Sequence, residues 1–274
     1  MVADKSRPDD SKGLSLIFRA LSHRNYRLFF GGQGISLIGT WMQQIAISWL
    51  VYHMTHSAFM LGLVGFLGQI PALLLSPFAG VLIDRWNRHR ILIFTQSLAM
   101  TQAFMLALLT LTGTTAIWHI ILLALFLGFV NALDMPTRQS FVVEMVETGE
   151  DLGNAIALNS FLFNGARLVG PSIGGILISL LGEGMCFLLN GISFIAVIAA
   201  LSAMKITKRQ IRSRSSQVFK GLKEGFTYAF GFPPIRSLLL LLALTSLTAM
   251  PYTVLMPVFA RTILHGGPQT LGFL

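Results

Sequence analysis

The sequence predicts an all-α fold, a polytopic bundle of transmembrane helices. Three observations carry that prediction. Only 11% of the 274 residues are charged and 54% are hydrophobic, whereas a soluble domain carries roughly 25% charged residues. So few charges cannot cover a soluble surface. The apolar residues also fall into seven runs, each near the ~20 residues that cross a bilayer as a helix. Finally, lysines and arginines gather on alternate connections between those runs. A mean hydropathy of +0.70 excludes a soluble enzyme and a disordered chain. The single cysteine, Cys186, excludes a disulfide-stapled secreted domain.

Each element follows from the chain in order. The polar segment 1–27 lacks the apolar core and small-residue cleavage site of a secretory signal peptide and reads as a cytoplasmic tail. Six spans with mostly short links come next, at about 28–52, 58–83, 91–111, 116–135, 155–181 and 185–204, so that 28–204 forms one transmembrane half. A basic cytoplasmic linker occupies 205–237, with an amphipathic surface helix expected over 219–232. A seventh span covers 238–260 and an eighth begins at Leu271, so 238–274 reads as the start of a second half that is cut short. Such a fragment alone is expected not to transport.

The basic residues set the orientation. Tail residues Arg19, Arg24 and Arg27, then Arg85, Arg88 and Arg90, then Arg138, and finally the linker cations from Lys205 to Arg236 all lie on one side. Only Arg261 falls on the other side, and only Arg167 lies inside a span. The N-terminus is therefore expected in the cytoplasm. The net charge of +9 would suggest nucleic acid in a soluble protein. Between apolar runs it reads as contact with the lipid bilayer, and no nucleic-acid partner is expected.

Two motifs stand out. Gly80-Val-Leu-Ile-Asp84-Arg85-Trp-Asn87-Arg88-His89-Arg90 joins the second and third spans. A small residue at a helix end admits another backbone. An aspartate beside arginines can pair with charges or helix ends and latch the inner face; an ordinary charged loop is the alternative. Asn164-Gly-Ala-Arg167-Leu-Val-Gly170-Pro171-Ser-Ile-Gly174-Gly175 lies on the fifth span. Its glycines make a smooth packing face and Pro171 weakens the backbone ladder. Arg167, near the bilayer midplane, should face the bundle interior or a wet cavity because a charge there is costly. It is either a substrate or coupling group, with Asn164 beside it, or a structural arginine bonded to neighbouring spans.

The remaining polar residues are few. Asp134, the one carboxylate close to a span, is placed at the inner end of the fourth, where Pro136 stops or bends the helix and Arg138 follows one turn later. It is read as a partner for the loop arginines or as a weak surface pair. Gln43 and Gln44 on the first span, like Gln69, Gln96 and Gln102, are read as helix glue or cavity lining. No phosphate-binding loop, metal-ligand cluster or catalytic constellation is present, so the chain is not expected to be an enzyme or to hold a cofactor or metal.

The Gly80-x-x-x-Asp84-Arg85-x-x-Arg88 segment resembles the cytoplasmic signature of the major facilitator superfamily, with Asn87 and His89 departing from it. Gly170-Pro171-x-x-Gly174-Gly175 is similar to the fifth-helix motif of that superfamily's exporters, with Ala166 in place of the leading glycine. Ala124 stands where its drug antiporters carry an arginine. His23-Arg-Asn25-Tyr-Arg27-Leu-Phe and Pro136-Thr-Arg138 look like the enterobactin-exporter and macrolide-efflux branch. The resemblance implies a secondary transporter in the bacterial inner membrane, monomeric, exporting a small amphipathic molecule such as a siderophore or drug-like metabolite. An ion gradient, of protons, would drive it by alternating access. It implies a cytoplasmic gate at Gly80, Asp84 and Arg88; Arg85, Asp134 and Arg138 are grouped with them. A metabolite importer and a non-transporting receptor or assembly protein are the competing classes.

Overall fold

A computed structural model describes residues 18–146, 149–205, 218–249 and 251–274, and the described part is helices and their connections. Six long helices form the main body: α1 (Arg24–Thr55), α2 (Ala58–Arg85), α3 (Arg88–Leu111), α4 (Ile117–Met145), α5 (Gly149–Leu181) and α6 (Glu183–Ser202). Then come the amphipathic α7 (Val218–Gly231), α8 (Pro233–Ala249), α9 (Pro251–Val258), a π-helical turn at Phe259–Ile263, and α10 (Pro268–Phe273). Among the described residues, seven helical stretches are long and apolar enough to cross a membrane, the seventh being the interrupted Pro233–Ile263.

Most boundaries fall where the apolar runs place them, and the fourth does not. α4 passes straight through Pro136 and runs on to Met145, ten residues beyond the expected 135. Proline removes one ladder bond, the one to the Ala132 carbonyl, and beside it the Thr137 hydroxyl donates to the Leu133 carbonyl. Asp134 consequently lies within the helix and not at its end.

Neighbours in sequence are often not neighbours in space. α1 packs against α6 and α5, α4 packs against α3 and α2, and α3 packs against α6, while α2 and α3 barely touch. Exchanging α1–α3 with α4–α6 maps this packing onto itself. Because α1 and α4 cross in opposite directions, the relation is an inverted repeat about an axis in the membrane plane.

The interior is layered. One apolar cluster, including Tyr26, Phe29, Phe141 and Leu201, fills the end near the N-terminus. A second, including Trp49, Leu106, Ile120 and Phe187, fills the opposite end and takes in Ala260 and Leu271 from the chain beyond α8. Between them lies a polar seam. α8 itself buries no residue against the described chain.

Candidate functional site

The seam is built from amides on three helices. Gln43 on α1 donates to Gln102 on α3 at 2.9 Å and accepts from Asn190 on α6 at 2.8 Å. Gln102 reaches the Leu123 carbonyl on α4 at 3.5 Å, and Ser193 donates to Asn190 at 3.2 Å. All four side chains are buried. Gln43 is therefore interhelical glue. Gln102, already read as an amide in a span, and Asn190, which nothing in the sequence singled out, complete the chain.

Gln44 has a different environment. It is exposed and lines a cleft of 220 Å³ between α1, α2, α4 and α9. The polar lining comes chiefly from Thr40, Gln44 and Ser48 on α1, Gln69 on α2, Asn131 on α4 and Thr253 on α9. Gln43 reaches its floor, so the seam braces the wall of the cleft. None of the described residues lining it is charged.

The glycine motif of α5 has two working faces. A methyl group at Gly170 would fall 2.6 Å from Trp41 Cβ and 2.9 Å from the Ile38 carbonyl, and one at Gly174 3.2 Å from Met42. Gly175 faces elsewhere: its methyl would fall 2.6 Å from the Pro268 carbonyl and 3.0 Å from Gly272 Cα on α10. The same helix thus packs on α1 and on α10. Pro171 sits inside α5, where Ser172 donates to the Gly272 carbonyl at 3.3 Å.

Arg167 stands on the open side of α5, exposed. Its guanidinium carbon lies 5.6 Å from the centre of the Trp41 ring, and Phe163 meets that indole edge-on at 5.6 Å. Asn164 is exposed on the same face, its amide returning to the Ser160 carbonyl at 2.8 Å.

The end of the bundle near the N-terminus is tied by charges in a pattern the sequence did not show. Asp134 is buried and accepts from Thr95 at 2.7 Å and Gln96 at 2.8 Å on α3. It also pairs with Arg138 one turn along its own helix. It is no surface pair. Arg88 bonds Glu144 on α4 at 2.5 Å, so Asp134 is not its partner here. Gly80 is exposed, and no atom lies within 4 Å of where its Cβ would be. The side chains of Asp84 and Arg85 lie outside the described residues.

A further cluster carries the His23-to-Arg27 segment. Asp151, in the first turn of α5, takes Arg19 and His23, the latter at 2.9 Å. Asn154 accepts from the Ala20 amide at 2.9 Å, and buried Tyr26 donates to the Ala155 carbonyl at 2.8 Å. Asn25 and the Lys205 backbone exchange two hydrogen bonds, at 2.9 and 3.2 Å. The start of α1 is thereby clasped to the start of α5 and the segment following α6.

Residues 17–274 match the transmembrane secretion effector family of the major facilitator superfamily. The chain belongs to that family. Among curated relatives, the staphyloferrin A transporter of Staphylococcus aureus is 30% identical over 90% of this chain and 62% of its own length. The multidrug efflux pump Tap of Mycolicibacterium fortuitum is 27% identical over 89% of this chain and 59% of its own. Macrolide efflux protein A of Streptococcus pyogenes is 21% identical over 90% and 62%. The chain thus spans about three-fifths of the length of these relatives. Membership in a superfamily of transporters fits the multi-pass architecture, the inverted repeat and the polar cleft between spans.

Proposed function

We propose that this chain supplies the first six-helix half, the linker and the start of the second half of a secondary transporter that exports a small amphipathic molecule. The single observation that carries this reading is the cleft. It lies among α1, α2 and α4 of the first half and is walled by Thr253 and Val254 of α9 beyond the linker. A site shared by two halves is what alternating access requires, since rocking one half against the other exposes it to each side in turn. Export is the direction that the relatives' names support.

In this reading Gln44, Asn164 and Arg167 face the transported molecule, while Gln43 holds the cavity wall. Gly170, Gly174 and Gly175 let α5 carry motion between α1 and α10. Gly80, Asp84, Arg85, Arg88, Asp134 and Arg138 form the gate on the cytoplasmic face. Protons are the coupling ion, and Asp134 is a carboxylate buried within a spanning helix of this half and able to carry one. The protein acts as a monomer in the bacterial inner membrane, with the N-terminus in the cytoplasm.

The test uses the full-length protein and its Arg167→Ala variant in an efflux-deficient bacterium. Cellular accumulation of a panel of siderophores and amphipathic drugs is followed with and without a protonophore. Lower accumulation that requires the gradient supports coupled export, and its loss in the variant places the site at α5. Unchanged accumulation with the protein confirmed in the membrane overturns the reading in favour of an importer or a non-transporting role.

A further inference from the structure

The chain between α6 and α8 concentrates positive charge at one face of the membrane. Eight of the twenty lysines and arginines fall between Lys205 and Arg236, against one acid, Glu224. The segment starts from a fixed point, because the Lys205 backbone and Asn25 at the start of α1 exchange two hydrogen bonds. It does not cross the bilayer again before α8. At 1.5 Å per residue α7 is about 21 Å long, short of the ~30 Å hydrocarbon core, and it carries Lys220, Lys223 and Glu224. Residues 206–217, outside the described residues, hold four cations of their own and form no apolar span either. α7 therefore lies at the face where α6 ends.

The register of α7 is amphipathic. Val218, Leu222, Phe226 and Ala229 recur every three or four residues and share one stripe. Lys220, Lys223, Glu224 and Thr227 fall on the opposite side. A short helix of this pattern beside a polybasic run lies in the plane of the interface, its apolar stripe at the acyl boundary and its lysines among the headgroups. The join to α8 transmits that placement. The Phe232 amide donates to the Tyr228 carbonyl at 3.1 Å and the Arg236 amide to the Phe232 carbonyl at 3.0 Å, so the two helices meet without a slack loop. Across that join the Tyr228 and Phe232 rings stack with centres 6.1 Å apart.

Positive-inside bias accounts for cations being held on one side. It does not account for their placement beside an amphipathic helix that leads directly into a span. Each lysine or arginine near an anionic leaflet strengthens partition about fivefold. We propose that α7, with Arg236 in the first turn of α8, is a docking surface for anionic phospholipid headgroups, and that its seating fixes where α8 enters the bilayer. The partner is the membrane surface itself, selected by charge complementarity. Nothing in this binding depends on what the protein transports.

The full-length protein, its native cysteines replaced and Ala229→Cys carrying an environment-sensitive NBD label, is placed in nanodiscs of phosphatidylcholine alone or with about one-third phosphatidylglycerol. Seating is read as blue-shifted emission together with quenching by lipid spin-labelled near the headgroup. Both are expected with phosphatidylglycerol, and both should weaken as salt rises from about 0.1 M to 1 M. A label at Thr227→Cys, on the polar side, should stay wet throughout. Replacing Lys220, Lys223 and Arg236 together by glutamine should weaken partition about a hundredfold and raise the phosphatidylglycerol fraction needed for seating. Equal seating in the two lipids, or seating unchanged in the triple variant, overturns the proposal. So does an Ala229→Cys label that is dry yet unquenched in both lipids, for then a protein surface covers the stripe. Should the triple variant fail to fold, the salt titration decides: seating indifferent to salt overturns it. Export by a protein whose α7 never seats would sink this proposal alone, and seating in a protein that moves nothing would sink export alone.

Discussion

Adjacent glutamines on α1 do different work, and that difference is measurable. Gln43 bridges Gln102 and Asn190 inside the bundle, whereas Gln44 is exposed in the cleft. Interhelical hydrogen bonds in membranes average about 0.6 kcal/mol each. Gln43→Leu breaks two of them and strands two buried amides, so a loss of about 1–2 kcal/mol is expected. Gln44→Leu should leave the thermal midpoint in detergent unchanged while altering transport. If the two variants melt alike, the seam is not what holds α1, α3 and α6 together. Asp134 permits a sharper comparison. Its carboxylate is 2% exposed and Arg138 22%. Asp134→Ala leaves a half-desolvated cation without its partner and should cost about 3 kcal/mol. Asp134→Asn keeps acceptor capacity toward Thr95 and Gln96 and should cost less. Equal midpoints for the native protein and Asp134→Ala would return Asp134 to the weak pair its sequence position suggested.

At the scale of elements, the spans were legible because the bilayer imposes a length and a composition that one sequence displays unaided. Pairing between helices was not legible. That Asp151 would clasp Arg19 and His23, or that Gln43 would meet Asn190, depends on which helices become neighbours, and nothing local to either residue encodes it. The α4 boundary was misjudged for a related reason. Pro136 is a helix-breaker by local rules, yet packing across α2, α3 and α4 carries the helix past it. The glycine motif of α5 was legible as a packing surface, but its second face toward α10 was not. Three alanine substitutions separate these roles. Gly170→Ala must push against the Ile38 carbonyl and Trp41, and Gly128→Ala meets Pro71 Cγ at 2.9 Å. Each should cost about 1–3 kcal/mol, the range for overpacking. Gly80→Ala meets nothing within 4 Å and replaces a poor helix former, so stability should hold or rise by up to about 1 kcal/mol. Loss of transport in a stable Gly80→Ala protein would assign Gly80 to a state other than this one. Full activity would remove it from the gate.

At the scale of the whole molecule, the inverted repeat treats the two faces alike, and the charge distribution alone distinguishes them. The turn from α2 to α3 carries Arg85, Arg88 and Arg90, while the connection from α3 to α4 carries no charge at all. The clasp formed by Arg19, His23 and Asn25 lies on the same side as the arginine-rich turn, because α1 ends at the opposite face. On the function proposed above, positive-inside bias predicts that the clasp, the turn and the proposed gate lie together in the cytoplasm. Cysteine labelling checks this directly, since the native Cys186 is fully buried and gives little background once replaced by serine. Thr114 and Trp86 are both exposed, in the α3–α4 and α2–α3 connections respectively. In intact cells a membrane-impermeant maleimide should modify the Thr114→Cys protein and spare the Trp86→Cys protein until the membrane is permeabilised. The opposite pattern would turn the molecule over and move the proposed gate to the outer face.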